Sequence, residues 1–134
     1  MINALYAAAN ASDAPAHVNR FSEAAEMYER TERDVVFVSA TYWRKNSDGK
    51  LGNTVMGQTM PNRLFRGPGD ILIGNFLGEG DFVMTAAHEM LAHNDQPVLT
   101  DVSPRIDALN DELWDQLPES YRPSATLWKG KLGK

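Results

Sequence analysis

The sequence contains no cysteine among its 134 residues. This absence excludes disulfides, thiolate metal sites and thiol nucleophiles, and it favours a cytoplasmic location in the producing or host cell, alone or within a larger assembly. Basic residues are also in the minority, because 13 Lys and Arg stand against 18 Asp and Glu and give a net charge of −5. An acidic balance of this kind disfavours general nucleic-acid binding.

Long apolar runs are missing as well. No stretch is long enough to span a membrane, and the apolar segment 1–9 lacks the basic residues that open a signal peptide. The composition, with 43% hydrophobic and 23% charged residues, is that of a globular protein. The length predicts a single domain that covers residues 1–134.

Complete catalytic motifs are absent too. No serine has the surroundings of a nucleophile elbow, and the sequence has no Gly-x-x-x-x-Gly-Lys-Ser/Thr phosphate loop. The acidic residues that follow Ser103 fit the solvated face of a helix. The residues themselves therefore assign no catalytic group, no metal ligand and no cofactor.

The segment 88–93, HEMLAH, invites comparison with the His-Glu-x-x-His zinc motif, which places two histidines four residues apart on one helical face. His88 and His93 are five residues apart, which is about 140° around a helix with 3.6 residues per turn. This spacing predicts that they cannot share a metal ion from a regular helix, although Glu89 and His93 could pair. A metal hydrolase that uses these three residues is the least favoured function on this argument.

One stretch in the middle of the chain organises the rest. The apolar run Ile71–Ile73, bounded by glycines, predicts a strand buried on both faces. Asp81 is predicted to cap a helix over Phe82–His93. Gly78 and Gly80, between this strand and this helix, have two interpretations. They either aim backbone N–H groups and a helix dipole at an anion, or they let the chain turn sharply between two packed elements.

Hydrophobic periodicity, caps and turn signals predict the remaining elements. Helices are predicted over 1–10, from the Ser12–Asp13 cap to Arg30, and from Ser103 to Pro118; strands are predicted over 34–43, 51–60, 97–102 and 124–132. The strand 34–43 is placed centrally, and an Asp-Gly turn joins it to 51–60 as a hairpin. The sum is an α+β fold, with a mainly antiparallel sheet of about four to five strands packed by helices, two of them N-terminal.

Exposed aromatic and arginine side chains are the candidates for a protein interface, because these residue types dominate binding hot spots. The candidates are Arg63, Phe65, Arg66 and Trp114, with Ile2, Leu5 and Tyr6 on the apolar face of the first helix. The first function hypothesis follows from them and from the missing catalytic motifs. The protein is expected to be a non-enzymatic adaptor, structural component or inhibitor that binds another protein or itself, of viral or mobile-element type.

The order of elements after residue 34 resembles the core of the GNAT acyl-CoA N-acyltransferases. That family's pyrophosphate loop has the form Gln/Arg-x-x-Gly-x-Gly/Ala at the start of a helix, and Asn75-Phe-Leu-Gly78-Glu-Gly80 stands at that place with Asn first. The later segment 103–110 keeps the spacing and Leu109 of the family's Asn-x-x-Ala-x-x-Leu-Tyr pattern. The resemblance covers roughly 34–132. It implies an alternative function, an acyl-CoA-dependent N-acyltransferase, active or degenerate, with its cofactor at Gly78 and Gly80.

Overall fold

The computed structural model describes residues 1–31, 33–45, 55–60, 70–94 and 103–134, which form an α+β fold as predicted. The helices are α1 (Ile2–Ala11), α2 (Arg20–Arg30), α3 (Ala40–Lys45), α4 (Glu79–His93), α5 (Pro104–Gln116) and α6 (Thr126–Lys131). The strands are β1 (Val35–Val38), β2 (Gly57–Thr59) and β3 (Ile71–Gly74). Short 3-10 helices cover Ala16–Val18 and Glu119–Ser124. Within these described ranges, no helix is both long enough and apolar enough to cross a lipid bilayer.

The strands of the described residues form a small mixed sheet with the order β1-β3-β2. β1 runs parallel to β3 with Val35 opposite Ile71, and β2 runs antiparallel to β3 with Gly57 opposite Ile73. Every residue of β3 is buried, which confirms the prediction of a strand covered on both faces. A continuous apolar run suits this central position because neither face of the strand meets water. The sheet is mixed and, in the described ranges, has fewer strands than the four to five predicted.

The segment 34–43 departs from its prediction. Its strand ends at Val38, and α3 begins at Ala40 and buries Trp43. β1 and β2 pair on opposite sides of β3, so the predicted hairpin between 34–43 and 51–60 is wrong. Phe37 is 52% exposed. Val and aromatic residues suit any pleated surface, and composition alone therefore did not show which strand pairs with β1.

Helix α4 is the element around which the other elements pack. It contacts α1, α2, α5 and α6 as well as β2 and β3, and most of its residues are buried. The hydroxyl of Tyr28 on α2 donates to the carbonyl oxygen of Ala86 at 2.8 Å, and burial raises the pKa of that tyrosine. A helix surrounded on all sides carries its polar residues inside the protein. The polar side chains of α4 are therefore the ones that call for a functional explanation.

The start of α4 also departs from its prediction. The helix begins at Glu79 with Gly78 as its N-cap, rather than after Asp81. A Cβ atom on Gly80 would overlap the carbonyl oxygen of Tyr121 and lie 2.8 Å from Cβ of Ala125. Glycine at this position therefore permits close packing of α4 against the C-terminal segment.

Residues 124–132, predicted to be a strand, form helix α6 instead. The backbone N–H groups of Leu127 and Trp128 at its start donate hydrogen bonds to the side-chain carboxylate of Asp81, a residue of α4. The N-cap acceptor of α6 thus comes from a different helix. The C-terminal sequence therefore contains no local capping pattern that predicts the start of α6. The predicted strand 97–102 lies outside the described residues, as do the turn 46–49 and most of the loop 61–70.

The terminal helices follow local signals more closely. α1 is where it was predicted. α2 begins later than predicted, because Asn19 is its cap and accepts hydrogen bonds from the N–H groups of Phe21 and Ser22. In α5, Ser103 caps the helix by accepting from the N–H of Ile106 at 3.1 Å. The predicted apolar face of α5 is buried: Ile106, Leu109, Leu113 and Leu117.

Candidate metal centre

Three potential metal ligands of α4 converge in the interior. The donor atoms of His88, Glu89 and His93 all lie within 4.8 Å of one another. The three side chains are buried, with exposed fractions of 1%, 4% and 6%. The two histidines therefore converge, although their angular separation on a regular helix predicts that they cannot share a metal ion.

The reason lies in the side chains. The two imidazole rings are 5.3 Å apart between centroids and inclined at 74°. The separation of about 140° fixes the directions in which the two Cβ atoms leave the helix. Each ring can still rotate about two side-chain torsions, and His88 and His93 lean towards each other. The spacing of the histidines in the sequence constrains the backbone and does not constrain these torsions.

The orientation of His88 is set by Asn110 on the neighbouring helix α5. The Nδ1 atom of His88 lies 2.7 Å from Oδ1 of Asn110. Since an amide oxygen can only accept, Nδ1 carries the hydrogen and donates it. In the neutral ring, the lone pair is then on Nε2, which lies 3.8 Å from Oε2 of Glu89. Histidine ligands of metals are held by such partners on their second ring nitrogen.

Glu89 is oriented by strand β2. The hydroxyl of Thr59 donates to Oε1 of Glu89 at 2.9 Å, which leaves Oε2 as the oxygen on the side of His88. The close approach of β2 to α4 depends on Gly57. A Cβ atom at this position would lie 3.1 Å from Cγ of Glu89 and 2.6 Å from Cγ2 of Thr85. Strand β2 thus serves as a support for the carboxylate.

A small cavity adjoins the cluster. Its volume is about 90 Å³, and its lining residues are Val55, Met56, Gly57, Thr85, His88, Glu89, Trp128 and Lys131. A liquid water occupies about 30 Å³, so the cavity has room for roughly three waters. The ring of Trp128 forms one wall, 5.2 Å from the ring of His88, and its Nε1–H donates to Oγ1 of Thr85 at 2.9 Å.

Two imidazole nitrogens and one carboxylate oxygen form a donor set that zinc and related divalent metals accept. Ligand atoms at about 2.1 Å from a tetrahedral zinc lie about 3.4 Å from one another. A separation as large as 4.8 Å would therefore have to shorten by about 1.4 Å around an ion.

Four of the predicted interface residues, Trp114, Ile2, Leu5 and Tyr6, lie in the part of the chain that the structure describes. Arg63, Phe65 and Arg66 lie outside the described residues. Trp114 was expected to be exposed, but it is 7% exposed and the guanidinium of Arg122 lies 5.4 Å above its ring centroid. On α1, Leu5 is fully buried, while Ile2 and Tyr6 are half-buried and pack against the core. The apolar face of α1 thus contributes to the core of the protein.

The two glycines considered for a cofactor lie at the start of α4. The N–H of Gly80 donates to Oγ of Ser124 at 2.8 Å, and a Cβ on Gly78 would lie 2.9 Å from the carbonyl oxygen of Ser124. These contacts agree with the packing interpretation of the glycines. An acyl-CoA site at this turn stays a prediction from the sequence.

Comparison of the chain with protein-family models, with curated proteins and with solved structures gave no match.

Proposed function

We propose that this protein is a metal-dependent hydrolase whose metal centre is formed by His88, Glu89 and His93. The observation that supports it is the convergence of their donor atoms within 4.8 Å, in the interior and beside a cavity. Buried ionisable groups in proteins are paired or coordinate a metal. The two imidazoles and the carboxylate brought together here are of the types that divalent ions accept as ligands.

Each residue has a defined task in this centre. The Nε2 atom of His88, the imidazole of His93 and Oε2 of Glu89 would hold the ion. Asn110 keeps the hydrogen of His88 on Nδ1, and Thr59 holds the Glu89 carboxylate in place. The described residues supply three donors, and three protein ligands with room for water are typical of catalytic rather than structural zinc sites. When bound, a zinc ion supplies a water of pKa about 7 and polarises a carbonyl or phosphoryl oxygen.

The reaction class is hydrolysis. The oxygen of a water in the cavity forms a bond to the carbon or phosphorus under attack, and the bond to the leaving group breaks. One proton of that water ends on the leaving group and the other passes to solvent. Trp128, packed against His88, restricts access of bulk water on one side of the cavity.

The first experiment measures metal binding. Purified protein is stripped with chelator and titrated with Zn²⁺ by calorimetry, and the zinc content of the reloaded protein is determined. The wild type is expected to bind zinc, and His88→Ala and His93→Ala are expected to lose that binding. His17→Ala is the matched control, because His17 is exposed and lies in a distant 3-10 helix. Equal zinc binding by the wild type and a His88→Ala/His93→Ala double variant would contradict the proposal.

A second experiment tests Glu89. The substitution Glu89→Gln keeps the shape and the acceptor for Thr59 but removes the negative charge. We expect weaker zinc binding and loss of hydrolysis of ester, phosphoester and peptide model substrates. Full zinc binding combined with lost hydrolysis would reassign Glu89 from metal ligand to proton acceptor.

We also propose a second function, protein binding, because large aromatic side chains are exposed near the ends of β1 and β3. Phe37 is 52% exposed and Phe76 is 39% exposed, and exposed apolar patches commonly mark interaction surfaces. Size-exclusion chromatography with light scattering tests self-association, with Phe37→Ser/Phe76→Ser as the variant. A monomer at all concentrations, with identical behaviour of the variant, would count against self-association through these two side chains.

A further inference from the structure

The cavity beside the α4 cluster has a cation in its lining. Lys131, on helix α6, lines it together with His88 and Glu89. Its ammonium lies 4.6 Å from the ring centroid of Trp128, within the range of a cation–π interaction. Among the described lining residues, Lys131 is the one with a fixed positive charge.

The position of this ammonium is set through Trp128. The indole N–H of Trp128 donates to Thr85 on α4, and its backbone N–H donates to Asp81, also on α4. The indole ring is thereby fixed relative to the helix that carries the metal ligands. The interaction with the ring in turn favours a Lys131 rotamer that keeps the ammonium at the cavity.

Charge and hydrogen bonding both favour an anion at this place. A divalent ion with two neutral histidines and the Glu89 carboxylate has a net charge of about +1, and Lys131 adds a further positive charge. An ammonium has three N–H donors, and contact with one face of a ring leaves donors for another ligand. An oxygen anion in the cavity would then have His88, Glu89 and Lys131 among its neighbours.

We propose that Lys131 is a substrate-binding residue that donates to an anionic oxygen of a ligand bound at the metal centre, a carboxylate or a phosphate oxygen. This inference rests on the proposed metal centre, and it identifies the substrate of that centre as an anion. Lys131 lies on α6, whereas the three proposed metal ligands all lie on α4.

The experiment uses the intact chain loaded with Co²⁺, whose visible absorption responds to a change of ligands at the metal. The loaded protein is titrated in separate series with acetate and with inorganic phosphate at fixed ionic strength. We expect Lys131→Ala to bind Co²⁺ as the wild type does but to bind the recognised anion roughly tenfold more weakly, as expected for loss of a charged hydrogen bond. Lys131→Arg is expected to retain most of the anion affinity.

Lys129→Ala is the matched control, because Lys129 is an exposed lysine of the same helix; its anion affinity should equal that of the wild type. The anion whose affinity depends on Lys131 identifies the class, carboxylate or phosphate. Equal affinities in the wild type and Lys131→Ala, or no spectral response to either anion in the wild type, overturn the inference while the metal centre stands. Failure of the wild type to bind Co²⁺ overturns the metal centre, and the inference with it.

Discussion

The carboxylate of Asp81 on α4 accepts a hydrogen bond from the backbone N–H of Trp128 on α6 at 3.0 Å. It also accepts from the N–H of Leu127 at 3.2 Å. In the reverse direction, Ser124, which precedes α6, accepts from the N–H of Gly80 in the first turn of α4. The two helix starts therefore cap each other. Their joint position places the Trp128 ring against His88.

Removal of the Asp81 carboxylate is expected to destabilise the protein. Asp81→Ala leaves two N–H groups at the start of α6 without their acceptor, and loss of an N-cap costs about 1–2 kcal/mol. Urea unfolding followed by far-UV circular dichroism measures the change. Asp115→Ala, at an exposed position of α5, should change the free energy of unfolding by less than about 0.5 kcal/mol. Equal stability of the two variants would contradict the role of Asp81.

The same carboxylate predicts a pH dependence. Burial raises the pKa of Asp81 above its ordinary value of 3.8, against the opposing effect of the hydrogen bonds from Trp128 and Leu127. The folded state therefore holds this proton more tightly than the unfolded state, and the contribution to stability falls as the pH rises from about 4 through the raised pKa.

Asp81→Asn removes this titration and keeps an amide oxygen as acceptor. We expect the free energy of unfolding of the wild type to fall relative to that of Asp81→Asn as the pH rises. Urea titrations of both proteins at several values between pH 4 and pH 7 measure it. A difference that stays constant, or that moves in favour of the wild type, contradicts the raised pKa.

Elements with local signals could be predicted from the sequence, and elements defined by distant contacts could not. The apolar run of β3 and the Ser103–Pro104 start of α5 are both where the sequence places them. Helix α6 was missed because its N-cap acceptor is Asp81, far away in the chain. The pairing of β1 and β2 on opposite sides of β3 was missed because it depends on contacts between strands distant in the sequence.

The candidate centre was predicted only in part. The sequence shows His88, Glu89 and His93 as a motif, but an ideal helix separates the two histidines by about 140°, and the freedom of their rings was not considered. Asn110 and Thr59 complete the centre from α5 and β2. No sequence signal links them to the motif, because packing alone brings these elements to α4.

Gly80→Ala tests the close packing at the start of α4. An added Cβ would overlap the carbonyl oxygen of Tyr121, and overpacking of this kind costs about 1–3 kcal/mol. Gly130→Ala is the matched control, because a Cβ at Gly130 meets nothing within 4 Å. Since Gly130 lies in α6, that substitution should stabilise the protein by about 0.5–1 kcal/mol. The measurement is the midpoint temperature of thermal unfolding for both variants. A change of the same sign in both would contradict the close contact between Gly80 and Tyr121.

Asn110 is expected to control the zinc affinity of the centre without binding the ion. Asn110→Leu removes the acceptor that holds the hydrogen of His88 on Nδ1, and loss of such a partner lowers metal affinity by about 10–100-fold. Asn110→Asp keeps an oxygen acceptor and should retain most of the affinity. Zinc titration of both variants by calorimetry, at matched folded fractions from circular dichroism, separates this effect from a loss of structure. Zinc affinity equal to wild type in folded Asn110→Leu would show that His88 needs no orienting partner.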